Sequence, residues 1–346
     1  MLIVVFILLC GVGAFSQDSR APKMIVVAPG GNGDYRTIQE ASDNAVPGDI
    51  IRVIKGVYQG RIDIKNSGTR SKPITIEAYP GHHPIIVPGK GDEDRVEINA
   101  EWIVFQGFEV MKGWDGIKLY KGNNVIRNNK IHDNRYQGIL VVSTDDITIE
   151  GNTIESNGTG NGECYEKDWG GVSPKHCHGI YVSDFDCTGI SGITIRGNTI
   201  KNHAGRGILV NGYKCSSWIE DLEIKDNVIE NNSWGMGLYY QVKDTRIEKN
   251  KFVLDKFPPT DDTSHTHLGI WKSSENIIRN NKFISSNTKV AAIEVFDEES
   301  ANNDVDYNYW KVNSSDWKWN DQWRDDFQKS YQDVTGWDEN GDIVSY

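Results

Sequence analysis

One repeated phrase constrains this chain more than any other feature. Ile193-Thr-Ile-Arg-Gly-Asn-Thr-Ile200 alternates apolar and polar residues, turns on a Gly-Asn step and ends on a further apolar residue. Ile147-Thr-Ile-Glu-Gly-Asn-Thr-Ile154 repeats it almost letter for letter, and looser copies run from Val125, Leu222, Thr245 and Ile277. Its asparagine falls at Asn129, Asn152, Asn198, Asn227, Asn250 and Asn281, with gaps of 23, 46, 29, 23 and 31 residues. The 46-residue gap is twice 23, but it holds a long loop instead of another copy. A second motif interleaves with the first: Gly116-Ile, Gly138-Ile, Gly179-Ile, Gly207-Ile, Gly237-Leu, Gly269-Ile and Ala292-Ile. Units this short cannot bury an apolar face alone; stacked on one another they form a continuous core. Period-2 strands on this repeat predict a parallel β-helix with one coil per repeat, its asparagines stacked as a ladder inside the turns.

Several segments depart from the repeat. Residues 2–9 are wholly apolar, too few to span a bilayer comfortably, and small residues follow to Ser16. Residues 1–16 therefore read as a signal peptide, and the protein as secreted. Thr37 with Glu40 has capping-box spacing and predicts a short helix that plugs the open end of the solenoid. The β-helix is expected over 24–300, with 301–346 as an irregular, aromatic-rich capping segment outside the repeat. Insertions fall at 157–175, 211–220 and 255–267; long polar loops in a compact domain commonly serve a site.

After the leader, Cys164, Cys177, Cys187 and Cys215 remain. An even number in an exported chain points to two disulfides, with three pairings open. The net charge of -12 argues against nucleic acid or an anionic membrane surface as partner. It does not exclude an acidic polysaccharide, since a groove can differ in sign from the whole molecule. A monomer is expected.

Tyr35-Arg-Thr-Ile-Gln-Glu-Ala41, Pro47-Gly-Asp-Ile-Ile-Arg-Val53, Gly56-Val-Tyr58, Pro73-Ile-Thr-Ile76 and Ala78-Tyr-Pro-Gly81 resemble the opening of right-handed parallel β-helix proteins of the polysaccharide-lyase type. The resemblance covers about 24–297 and is most similar to a β-helical alginate lyase group. It implies β-elimination on a uronate polymer, with a tyrosine and a lysine working in the groove.

Aligning the coils on their glycines places Asp115, Gln137, His178, Arg206, Met236 and Leu268 in one outward row. Lys118, Leu140, Tyr181, Leu209, Tyr239, Trp271 and Glu294 form a second. His178, Tyr181 and Arg206 then converge between the insertions. Abstracting the C5 proton of a uronate adds charge beside a carboxylate, so a cation or hydrogen-bond donor must stand there. Arg206 is the candidate neutraliser, aided by His178 or His176. Lys214 and Tyr181 are the candidate base and acid, their roles exchangeable. Lys118, Arg135, His265, His267, Tyr239 and Trp271 are candidates for substrate subsites. No cofactor is required, and calcium is left open. The rival readings are a calcium-dependent pectate lyase using Asp184 and Asp186, a glycoside hydrolase with Asp115 among its carboxylates, a uronate epimerase, and a glycan-binding solenoid without catalysis.

Overall fold

The computed structural model describes residues 20–89, 94–159, 176–212, 215–256, 265–287, 290–297, 300, 302–312, 317–319, 322–324 and 337–345. The expected leader, Lys214, Cys164 and most of the 157–175 and 255–267 insertions lie outside these residues.

The strands build three eleven-stranded sheets, and nearly every neighbour within them is parallel and comes from the adjacent coil. This is a parallel β-helix. In a representative coil the chain passes through Thr194–Arg196 in one sheet, turns, runs through Thr199–Lys201 in the next, and enters the third as Arg206–Asn211. An inward column of the third sheet is apolar throughout: Ile117, Ile139, Ile180, Ile208, Met236, Leu268 and Ile293 pair in register and are fully buried.

The asparagine ladder forms as the repeat predicts. The backbone N–H and side-chain Nδ2 of Asn152 both donate to Oδ1 of Asn198, at 2.9 and 3.0 Å. Asn198 does the same to Asn227, and Asn227 to Asn250. Each Nδ2 also donates to a core carbonyl, as Asn198 does to Ile149 at 2.9 Å. Asn152 and Asn198, 46 residues apart, are thus consecutive rungs on adjacent coils. Residues before the ladder asparagines, such as Asn128, Gly151, Gly197 and Asp226, take positive φ, which turns the chain sharply between sheets. A parallel column runs through Asn134, Asn157, His203 and Asn232. There His203 Nδ1 accepts the Asn157 N–H at 3.1 Å and Nε2 faces the Ile154 carbonyl at 3.1 Å, reproducing two of the three bonds an asparagine makes at that place.

The ends differ from expectation. The helix has six residues, Ile38–Asp43, with the Thr37–Glu40 capping box in place. It packs Ile38 and Ala41 inward but is too short to be a substantial cap. Nor does the chain leave the repeat at residue 301. Asp304–Asp306, Tyr309–Val312 and Trp317–Trp319 each add a strand to a different sheet, and Asp342–Ser345 adds another. Asn281 donates to Asn308, whose own N–H ends the ladder on Asp338 Oδ1 at 2.9 Å. The tail escaped the repeat reading because its last ladder position is an aspartate and its core residue is Trp310.

Candidate functional site

The third sheet carries the candidate residues. Its outward middle row reads Asp63, Glu97, Lys118, Leu140, Tyr181, Leu209, Gly237, Gly269 and Glu294. The row two residues later runs Ser183, Asn211, Tyr239 and Trp271. The expected alignment had slipped by two residues at one coil. Arg206 pairs with Trp234 and Ile208 with Met236, so Gly235, not Gly237, continues the glycine column. Met236 and Leu268 therefore lie in the core, and Tyr239 stands one row beyond Tyr181. A two-residue slip leaves every side chain on its face, so period-2 patterning cannot detect it.

A chain of side-chain acceptors holds the row before the strands. Asp115 N–H donates to Asp94 Oδ1 at 3.0 Å, Gln137 N–H to Asp115 Oδ1 at 2.9 Å, and His178 N–H to Gln137 Oε1 at 2.6 Å. Arg206 N–H donates to His178 Nδ1 at 3.0 Å. His178 is buried, and burial, then the Arg206 charge, depresses its pKa well below the ordinary imidazole value. It is a neutral imidazole with its proton on Nε2.

Arg206 lies between two rings, its Cζ 4.6 Å from the Trp234 centroid and 4.8 Å from that of Tyr239. Its Nη2 donates to Tyr239 Oη at 2.9 Å. Trp234 and Tyr239 are themselves buried, beneath a more accessible layer of Tyr240, Trp271 and Phe296. Trp271 stands 4.6 Å from Tyr240 and 5.6 Å from Phe296 between centroids. Glycine below makes this possible: a Cβ at Gly269 would meet Trp234 Cζ3 and Tyr239 Oη, each at 3.0 Å. Tyr181 touches His178 edge to face at 5.2 Å, and its Oη accepts from Asn211 Nδ2 at 3.0 Å.

The structure thus brings together His178, Tyr181, Arg206, Tyr239 and Trp271, and leaves other candidates elsewhere. Lys118 is ion-paired to Asp94 at 3.1 Å and Asp115 at 3.5 Å, which raises its pKa. His267 points into the core against Phe283 and has a pKa of about 3, lowered by burial; it cannot contact substrate. His265 is buried with Nδ1 at 2.8 Å from the Ser233 carbonyl. His176 is exposed, and its carbonyl accepts from Gln137. Arg135 lies over Tyr136 at 5.8 Å. Asp184 accepts from the N–H groups of Thr188 and Gly189 and from Ser217 Oγ. Cys187 is bonded to Cys215, which ties two neighbouring loops beside the site. Cys177 is also disulfide-bonded, to a sulfur outside the described residues.

Sequence reasoning missed Trp234, Asn211, Tyr240 and Phe296. The signal for Trp234 was Gly235, the first glycine in Trp234-Gly-Met-Gly237, which offered the correct register.

The family model for the right-handed β-helix region matches residues 96–252. A 52-residue stretch is 36% identical to the uncharacterized protein YwoF of Bacillus subtilis (strain 168), spanning 15% of this chain and 11% of that protein. The surface adhesin PfbA of Streptococcus pneumoniae superposes with a TM-score of 0.61 at 13% identity, over 80% of this chain and 74% of that one. The GH136 lacto-N-biosidase of Eubacterium ramulus gives 0.59 at 12% identity, over 94% and 67%. A rhamnogalacturonan lyase gives 0.52 at 11%, over 86% and 82%. These likenesses establish a right-handed parallel β-helix. An adhesin, a glycosidase and a lyase share it, so the fold by itself selects none of their activities.

Proposed function

We propose that this chain is a secreted polysaccharide lyase that cleaves a uronate-containing polymer by β-elimination on the outward face of the third sheet. The observation that carries this reading is the junction of the Arg206 guanidinium, the Tyr181 phenol and half-buried aromatic rings on adjoining coils. Arg206 supplies positive charge for the uronate carboxylate, and its ring sandwich fixes the guanidinium before substrate arrives. The neutral His178 offers an Nε2 proton donor to the developing charge. Asn211 donates to Tyr181 Oη, which favours the phenolate and suits a group that accepts the C5 proton. As that proton leaves, the C4–C5 double bond forms and the C4–O bond breaks, the leaving oxygen taking a proton from Tyr181 or Lys214. Alginate is the uronate polymer favoured by the sequence resemblance.

The test is ultraviolet absorbance of the unsaturated uronate when the protein meets alginate, pectate, chondroitin, hyaluronan and rhamnogalacturonan, each with EDTA or calcium. A rise that disappears in Tyr181→Phe and Arg206→Ala supports the assignment. New reducing ends without absorbance would overturn it in favour of hydrolysis. Asp115 gives that second reading its specific support, because burial raises its carboxyl to about 6, a value suited to a general acid.

A further inference from the structure

We infer that the groove takes a heteropolysaccharide whose uronates are separated by neutral sugars, and not a chain charged at every residue. This rests on the reading of the face as a uronate site, and it departs from the alginate that the sequence resemblance favours. Strands of adjacent coils lie about 4.8 Å apart, so a glycan crossing the coils meets the outward rows in order.

On the flank toward the amino terminus it meets carboxylates whose cations are already committed. Arg61 pairs with Glu97 at 2.5 Å and with Asp63 at 3.5 Å, and Lys65 pairs with Asp63 at 2.8 Å. Lys118 is shared by Asp94 and Asp115. Burial first, and then Asp94 and Asp63, leaves Glu97 with a raised pKa despite Arg61 and Lys118. A uronate placed here would have to break an existing ion pair or stand beside these carboxylates, and like charges in apposition select against a partner.

On the other flank the row reads Leu209, Gly237 and Gly269 beneath Tyr240, Trp271 and Phe296, and ends on the buried Glu294. Such a surface suits the C–H face of an uncharged sugar, whereas an ionised carboxylate would lose hydration against it. Arg206 is the cation set into the aromatic cluster, between the two flanks. The layout therefore reads neutral, charged, neutral.

The experiment uses the full chain and Trp fluorescence titration. The probes are alginate and pectate, charged at each residue, against unsulfated chondroitin, hyaluronan and rhamnogalacturonan, in which uronates alternate with uncharged residues. Tighter binding of at least one alternating polymer, by roughly tenfold or more at low salt, is expected. The double variant Asp94→Asn with Glu97→Gln keeps an acceptor oxygen at each position; it should shift the affinity ratio toward the polyuronates by about the same factor. Equal or tighter binding of alginate or pectate by the unmodified protein overturns the inference while leaving the uronate-site reading intact. An unchanged ratio in the folded double variant also overturns it. No binding to any of the five, or binding unaffected by Arg206→Ala, overturns the inference together with the site reading.

Discussion

His178 Nδ1 accepts the backbone N–H of Arg206 across adjacent coils at 3.0 Å. The bond fixes the tautomer of the imidazole and the position of the strand that carries the guanidinium. His178 is thus a positioning residue as well as a candidate donor. Replacing it with leucine leaves a buried amide without an acceptor, which costs about 1–3 kcal/mol. Asparagine can restore the acceptor, as Gln137 supplies one a coil earlier. His178→Leu should lower the urea midpoint and turnover together. His178→Asn should recover most of the midpoint while turnover stays reduced. Full turnover in His178→Asn would reduce His178 to a scaffold residue.

His203 offers a cleaner test of buried histidine. Burial lowers its pKa from 6.5 to about 4. The folded state therefore binds the proton less well than the unfolded chain does. Its contribution to stability is full above 6.5 and is lost as pH falls toward 4. His203→Asn supplies the residue its neighbours Asn157 and Asn232 already use in that column. The variant should lose less melting temperature between neutral and acid pH than the parent does. An identical fall in both proteins would show that His203 is not an acid-sensitive group.

The asparagine ladder was legible because its physical demand recurs once per coil. Each amide must accept two bonds and donate to a carbonyl, so the same residue returns at the same place. Asn198→Ala removes the acceptor for both Asn152 donors and a donor to Ile149, and should cost at least about 2 kcal/mol in chemical denaturation. A change below about 0.5 kcal/mol would mean that the turn holds without its ladder.

The site was less legible than the ladder. His178, Tyr181 and Arg206 could be found together because they follow or precede glycine motifs on neighbouring coils. Trp234 could not, since a slip of two residues between Gly235 and Gly237 preserves alternation. His267 failed for a different reason. At the corner of this sheet two successive residues face inward: a Cβ at Gly179 would meet Ile200 Cγ2 at 2.5 Å, while the following Ile180 is itself fully buried. His267 continues that glycine column, where alternation alone would place it outside.

Arg206 combines ring stacking with a hydrogen bond from Nη2 to Tyr239 Oη. A lysine retains the charge but lacks the planar fork and the stacking. Arg206→Lys should therefore lose most of what Arg206→Ala loses, about 100-fold or more in kcat/KM on the uronate substrate. Tyr239→Phe keeps the ring and removes one bond, so a loss nearer tenfold is expected. If Arg206→Lys retained full activity, charge alone would suffice and the ring sandwich would be incidental to catalysis.

Asp115 separates elimination from hydrolysis. Its carboxyl is raised from 3.8 to about 6, first by burial, with Lys118 opposing. A raised carboxyl gives the folded state the greater proton affinity. The stability it contributes is present below 3.8 and is lost as pH climbs through about 6. Asp115→Asn retains an oxygen for the Gln137 N–H and should flatten that part of the stability profile. Its effect on turnover carries the mechanistic weight. If Asp115 is the general acid of a hydrolase, release of reducing ends should fall by about 10²–10⁴ and should decline above its folded pKa in the parent. If Arg206 and Tyr181 perform elimination, Asp115→Asn should keep the unsaturated product within roughly threefold, because the carboxylate then serves the acceptor chain and Lys118 alone. A large loss of the unsaturated product in a variant of normal melting temperature would draw Asp115 into the elimination site.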